Sequence, residues 1–264
     1  MKTLDGIQSK LKRLTKQQTH DKIEESLFIA SHKKSIAIYD YIIMSEEISS
    51  DAFYLFVILN SISPLLARTS VERSRLLEET GWATQKKFKK YFIELYNLGL
   101  IDSDNIEMEG HGPVSIVLTG NVPTEKLVGP DPFTPINLTT LIKLKEIGKE
   151  VTINKRMPTG VLSGTTHDMK EAVMRMAYLY EQRYLSNTNI IIPISYSTLS
   201  KLTGLNPHSV SSANKAMEEA KMLCTFRGKR LSEGRMREMN KYKFIQLRQL
   251  NKYRHSKDLQ DEDS

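Results

Sequence analysis

Apolar residues recur at three- and four-residue spacing over much of the 264-residue chain, the pattern of helices that bury one face. That spacing predicts helices over residues 17–32, 51–61, 70–79 and 84–97, and later over 138–147, 168–185, 197–202 and 207–221. In 84–97, Phe88, Tyr91, Phe92 and Leu95 share a face, and Gly99 is the stop. In 168–185, Ala172, Val173, Met176, Leu179 and Tyr180 fall on one side. Asn206 is a good N-cap for 207–221, with Pro207 at the first helical position, where its missing N–H costs nothing. Ser63-Pro64 ends the 51–61 helix, and glycine turns follow two others, at Thr80-Gly81-Trp82 and Thr203-Gly204-Leu205.

Strand patterns are shorter. Leu100-Ile101 starts a strand, Gly110-His111-Gly112-Pro113 is a turn, and 114–118 completes a hairpin. Residues 190–194 read as an edge strand because they contain Pro193. Residues 223–227 and 242–247 form a second hairpin around a long basic loop. The expected class is mainly α with small β-hairpins (α+β). Five of the nine prolines and four glycines lie in 121–168, so 121–167 reads as a connector interrupted by the 138–147 helix. Gly160 to Thr166, faintly like a phosphate loop but lacking the lysine, reads as a turn of that connector. The flanking stretches, 17–120 and 168–254, repeat one order of elements; 1–16 is a basic lead-in and 255–264 an acidic disordered tail.

Charge changes the picture through its distribution. The net +7 and pI of about 9.2 point to a polyanionic partner, most often nucleic acid. Residues 1–22 carry six Lys/Arg against two acids, 222–254 carry ten against two, and the last ten residues are net negative. One cysteine excludes an internal disulfide and a multi-cysteine zinc site and fits a reducing cytoplasm. Cys224 is expected to be a buried small hydrophobe. Trp82 reads as a core or turn anchor, and Tyr178, Tyr180 and Tyr184 as core or interface residues. The N-terminus lacks a signal-peptide apolar core, and the best apolar run, 53–59, is far short of the ~20 residues of a membrane span, so no membrane partner is expected.

Helix, short helix, glycine turn, longer helix and β-hairpin is an order that resembles the winged helix-turn-helix. The first copy carries it in Leu76-Leu77-Glu78-Glu79-Thr80-Gly81, Lys86-Lys87-Phe88, then Leu95, Leu98, Gly99, Leu100 and Ile101. The second carries it in Leu199-Ser200-Lys201-Leu202-Thr203-Gly204-Leu205, Ser209-Val210-Ser211, then Met217, Met222 and Leu223. The resemblance implies two such domains joined by the Pro/Gly-containing connector, with the second helix of each pair in the major groove. It implies that Thr84, Gln85, Lys86, Lys87 and Lys90 in the first copy, and His208, Ser209, Ser211, Ser212 and Lys215 in the second, face DNA. The wing of the second copy supplies Arg227, Lys229, Arg230, Arg235 and Arg237 for backbone or minor groove. His111, in the first wing, either touches phosphate or has no role, and the lysine face of 86–90 also has a plain reading as solvated surface.

Enzyme chemistry finds no support in the pattern. The six histidines are scattered without a metal-pair spacing, no nucleotide-fingerprint glycines follow a strand, and Asp102 and Asp104 lack a third partner. No catalytic residue, metal or cofactor is therefore expected. The expected partner is double-stranded DNA with repeated or two-part sites, bound by one chain or a homodimer. With a connector too short for a sensing domain, the layout resembles that of bacterial plasmid replication initiators, implying a nucleoid- or plasmid-associated cytoplasmic role in replication initiation or transcriptional control. A dedicated transcriptional regulator, a partition factor and a protein-interaction scaffold are the alternatives.

Overall fold

The computed structural model describes residues 34–63, 68–106, 112–119, 133–156, 162–186, 193–228 and 239–247. The expected 17–32 helix, the basic lead-in and the acidic tail lie outside these. Within them are eight helices and nine short strands, a mixed α+β architecture with small antiparallel sheets.

β1 (Ser35–Tyr39) leads directly into α1 (Asp40–Met44), followed by α2 (Ser50–Ile62). Ser49 caps α2 by accepting from the Ala52 N–H, and every residue from Ala52 to Leu59 is buried, so α2 lies within the core rather than on it. β2 (Arg68–Val71) and α3 (Arg73–Thr80) divide a stretch expected to be helical from residue 70. Helical spacing yields there to ladder pairing, Thr69 with Ile116 and Val71 with Val114, and the helix starts after extended Glu72. Gly81, at φ +64°, turns the chain into α4 (Gln85–Asn97), which Thr84 caps. Phe88, Phe92 and Leu95 form its inner face, and Gly99, at φ +66°, ends it. β3 (Ile101–Asp102) and β4 (Val114–Leu118) complete a sheet ordered β2-β4-β3.

Part of the stretch expected as a connector is folded into the molecule. β5 (Phe133–Asn137) pairs antiparallel with β1, Ala37 opposite Pro135 at the centre. α5 (Leu138–Lys149) continues from it, capped by Asn137. β6 (Val151–Arg156) and β7 (Leu162–His167) make a hairpin, so residues 162–166, expected in a turn, are strand. α5 and the following α6 (Lys170–Ser186) approach so closely that only glycine fits at 148: a Cβ there would sit 2.3 Å from Lys170 Cα.

The spacing in α6 predicts one buried side. Instead Met174, Arg175, Ala177 and Tyr178 are buried as completely as Val173, Met176 and Leu179. It packs on α2, α5, α1 and β5, and on β9 (Lys241–Phe244), so both halves share one hydrophobic core. α7 (Tyr196–Thr203), the Gly204 turn at φ +72°, α8 (Pro207–Glu219) and β8 (Leu223–Phe226) complete the second half. β8 pairs with β9, and Pro193 bridges the other side of β9 at Lys241. The lateral order Pro193-β9-β8 thus repeats β2-β4-β3. Cys224, expected inside, is exposed, because in β8 the inward place belongs to Leu223.

The two halves contact each other reciprocally. β1 and β5 are antiparallel mates, α2 and α6 pack together, and the start of each meets the glycine turn of the other half. Ser50 Oγ donates to Thr203 O at 2.7 Å, and a Cβ at Gly81 would lie 3.7 Å from Lys170 Cε. No helix among the described residues is long and apolar enough to cross a membrane.

Candidate nucleic-acid interface

α4 presents Gln85, Lys86 and Lys90 to solvent. Thr84 is exposed but its side chain is used as the cap, accepting from Lys87 N. Lys90 Nζ lies 4.8 Å over the Tyr91 ring, which directs it without neutralising it.

Lys87, expected on the same outward surface, turns inward. Its Nζ is 2.6 Å from Asp51 in the first turn of α2 and 2.9 Å from Glu171 in the first turn of α6, and 4.8 Å over the Trp82 ring. The Trp82 indole N–H donates to the same Glu171 oxygen at 2.6 Å. Burial by itself would raise the Glu171 carboxyl; the Trp82 N–H, Lys170 and Lys87 outweigh it and hold it below the usual carboxylate range. Burial would lower Lys87, but its bonds to Asp51 and Glu171 hold it above the usual lysine value. Lys87 is the centre of a joint between three helices.

On α8, His208, Ser211 and Lys215 are exposed, with Lys215 3.5 Å from Glu219. Ser209, expected to face a partner, is buried at 8% exposure, because it follows the Asn206 cap on the side of the helix that packs inward. Ser212 is half-buried. Beneath, the Tyr180 hydroxyl donates to Asn214 Oδ1 at 2.7 Å and fastens α8 to α6. Arg227 is exposed just after β8. His111, Lys229, Arg230, Arg235 and Arg237 lie outside the described residues.

A cleft of about 520 Å³ opens between the starts of α2 and α6 and the end of α7. Glu46, Asp51, Asp168 and Glu171 line it against Lys87 and Lys201, and Lys201 is itself paired with Glu46 at 2.7 Å. Its lining carries more carboxylates than amines, a balance that disfavours phosphate there. Asp102 accepts from its neighbour Ser103 N and Asp104 pairs with Arg68 at 2.7 Å. No group of three or more His, Cys, Asp or Glu among the described residues is placed to hold a metal. The residue pattern does not single out Asp51 or Glu171. The chain matches no protein-family model, no curated protein and no solved structure.

Proposed function

We propose that the two halves are winged helix-turn-helix modules and that the protein binds double-stranded DNA sequence-specifically, laying α4 and α8 in major-groove segments of a two-part site. The observation that carries the reading is the repeated strand order: each glycine turn joins two helices, the second runs into a hairpin, and the segment before the first helix pairs beside the hairpin's last strand. The outward residues suit the task. Gln85 matches an adenine edge, Lys86 and Lys90 suit guanine or phosphate, and His208, Ser211 and Lys215 form a smaller polar set. Arg227 and the basic 229–237 stretch supply backbone contacts from the wing.

We propose a biological role in replication initiation or in control of transcription, which a two-module layout supports. The decisive measurement is duplex binding against salt. Several phosphate contacts give a log–log slope near −0.9 per contact, and Arg235→Ala with Arg237→Ala flattens it for every sequence. Ser211→Ala shifts sequence preference instead. Absence of duplex binding at low salt overturns the proposal and favours a protein partner, for which the exposed Tyr41 and Phe133 cluster offers an apolar surface.

A further inference from the structure

The two candidate recognition helices are not independent. Lys87, near the start of α4, is bound to Glu171 in the first turn of α6. From there α6 runs to Tyr180, nine residues on and roughly 14 Å along the axis. Tyr180 is bound to Asn214 on α8. A continuous path therefore joins α4 to α8: a charge-assisted contact, a helix buried on all sides, and a buried hydroxyl–amide bond. Asp51 ties the same lysine to α2, so the α4 end of the path is held from two directions. Both end contacts are directional: Glu171 is fixed by the Trp82 N–H as well as by Lys87 at the edge of the cleft, and the Tyr180–Asn214 pair is buried at both residues.

We infer that α6 is a strut which, through Lys87–Glu171 at one end and Tyr180–Asn214 at the other, fixes the separation and rotation of α4 and α8 and thereby makes the spacing between the two parts of the DNA site a determinant of affinity. The inference rests on the DNA-binding reading above. An inserted base pair moves one half-site by about 3.4 Å and turns it by about a tenth of a revolution. A chain with a flexible connector follows that displacement; a chain with a strut does not.

Two variants cut the path at opposite ends, Lys87→Met, which keeps the side-chain stem on Trp82, and Tyr180→Phe, which keeps the ring. The first measurement needs no DNA. In a Cys224→Ser background, spin labels at the exposed positions Asn97 on α4 and Glu219 on α8 report the distance between the helices. A narrow distribution is expected in the parent and a broader one in each variant; equal widths overturn the strut. The second titrates the full chain with duplexes whose half-site spacing is changed by one or two base pairs. The parent is expected to lose about tenfold or more of its two-module avidity for one inserted base pair, and each variant about threefold or less. Equal spacing penalties in parent and variants, or a uniform affinity loss at all spacings, overturn the inference. A parent that binds no duplex overturns the DNA reading instead, and the distance measurement still decides whether the strut exists.

Discussion

Replacing Arg175 with methionine removes the one charge that α6 carries between Ala172 and Tyr180. The guanidinium is completely buried and donates to the carbonyl oxygens of Ser45 and Ile48, while its face lies 5.5 Å from the Phe53 ring centre. Methionine fills the place of the stem and supplies no donor. The Ile48 carbonyl, in a buried bond, then has no partner, at about 1–3 kcal/mol, and the part-buried Ser45 carbonyl costs about 1 kcal/mol because water reaches it. Losing the cation over Phe53 costs about 1 kcal/mol more. Against these stands relief of desolvation, which in the native protein pulls the Arg175 pKa down to about 10. We expect net destabilisation of about 2–4 kcal/mol, or about 4–16 °C in Tm for a chain of this size. Urea unfolding followed through Trp82, the single tryptophan and buried in the joint, reads the change as a lower midpoint at unchanged slope. The consequence reaches the candidate interface, because the pinned 45–48 loop leads to Ser49, whose N–H and hydroxyl both donate to Glu94 of α4 at 2.7 and 3.0 Å. A midpoint equal to or above that of the parent refutes the reasoning: guanidinium desolvation would then outweigh both carbonyl bonds.

Glu171 is held below its ordinary pKa in the fold, so it contributes stability above the unfolded value and loses it as pH falls through the lowered one. Glu171→Gln should flatten the acid side of the stability–pH curve below about pH 4–5, while Glu181, raised by burial, acts with the opposite sign in both proteins; parallel curves for parent and variant would contradict the joint. Lys86→Ala should reduce the salt slope of duplex binding by about 0.9, whereas Lys87→Met should leave that slope unchanged, since its charge already meets Asp51 and Glu171. An anisotropy titration in which both lysines lower the slope equally would place Lys87 on the DNA after all. Gly148→Ala should destabilise by about 2–4 kcal/mol, because the new methyl meets Lys170 backbone atoms at 2.3 and 2.9 Å rather than a side chain that can swing away; a thermal midpoint within a degree of the parent would mean α5 and α6 separate freely.

Elements that carry their own punctuation are legible in the chain. α4 and α8 have their caps, Thr84 and Asn206, and their inner faces, Phe88–Phe92–Leu95 and Val210–Ala213–Met217, written locally. Glycines at 81, 99 and 204 sit at positive φ, as their place after apolar runs implies. β1 and β5 escape such reading because their alternation, Ile36–Ile38 and Thr134–Ile136, spans five residues each, and Pro135 gives β5 the character of a linker. Proline is tolerated there because it needs only its carbonyl, which accepts from Gln246 at 3.1 Å.

The joint is illegible for a different reason. Lys86 and Lys87 are chemically identical neighbours, and roughly 100° of helix rotation separates a solvent-facing cation from one that clamps three helices. What distinguishes them is Glu171, 84 residues downstream, at a helix start where a carboxylate is ordinary. Periodicity ranks faces of one helix; it carries no information on which helix covers which face. One signal does survive in the composition. From Ala172 to Tyr180 the run AVMRMAYLY has apolar or aromatic residues on every side and one arginine. A helix apolar all round is buried all round, and a lone cation inside it must find acceptors or be neutralised. That inference requires no partner sequence, and it leads to a central α6 and to an Arg175 that needs acceptors; the structure supplies them as the Ser45 and Ile48 carbonyls, with both halves packed about the shared helix.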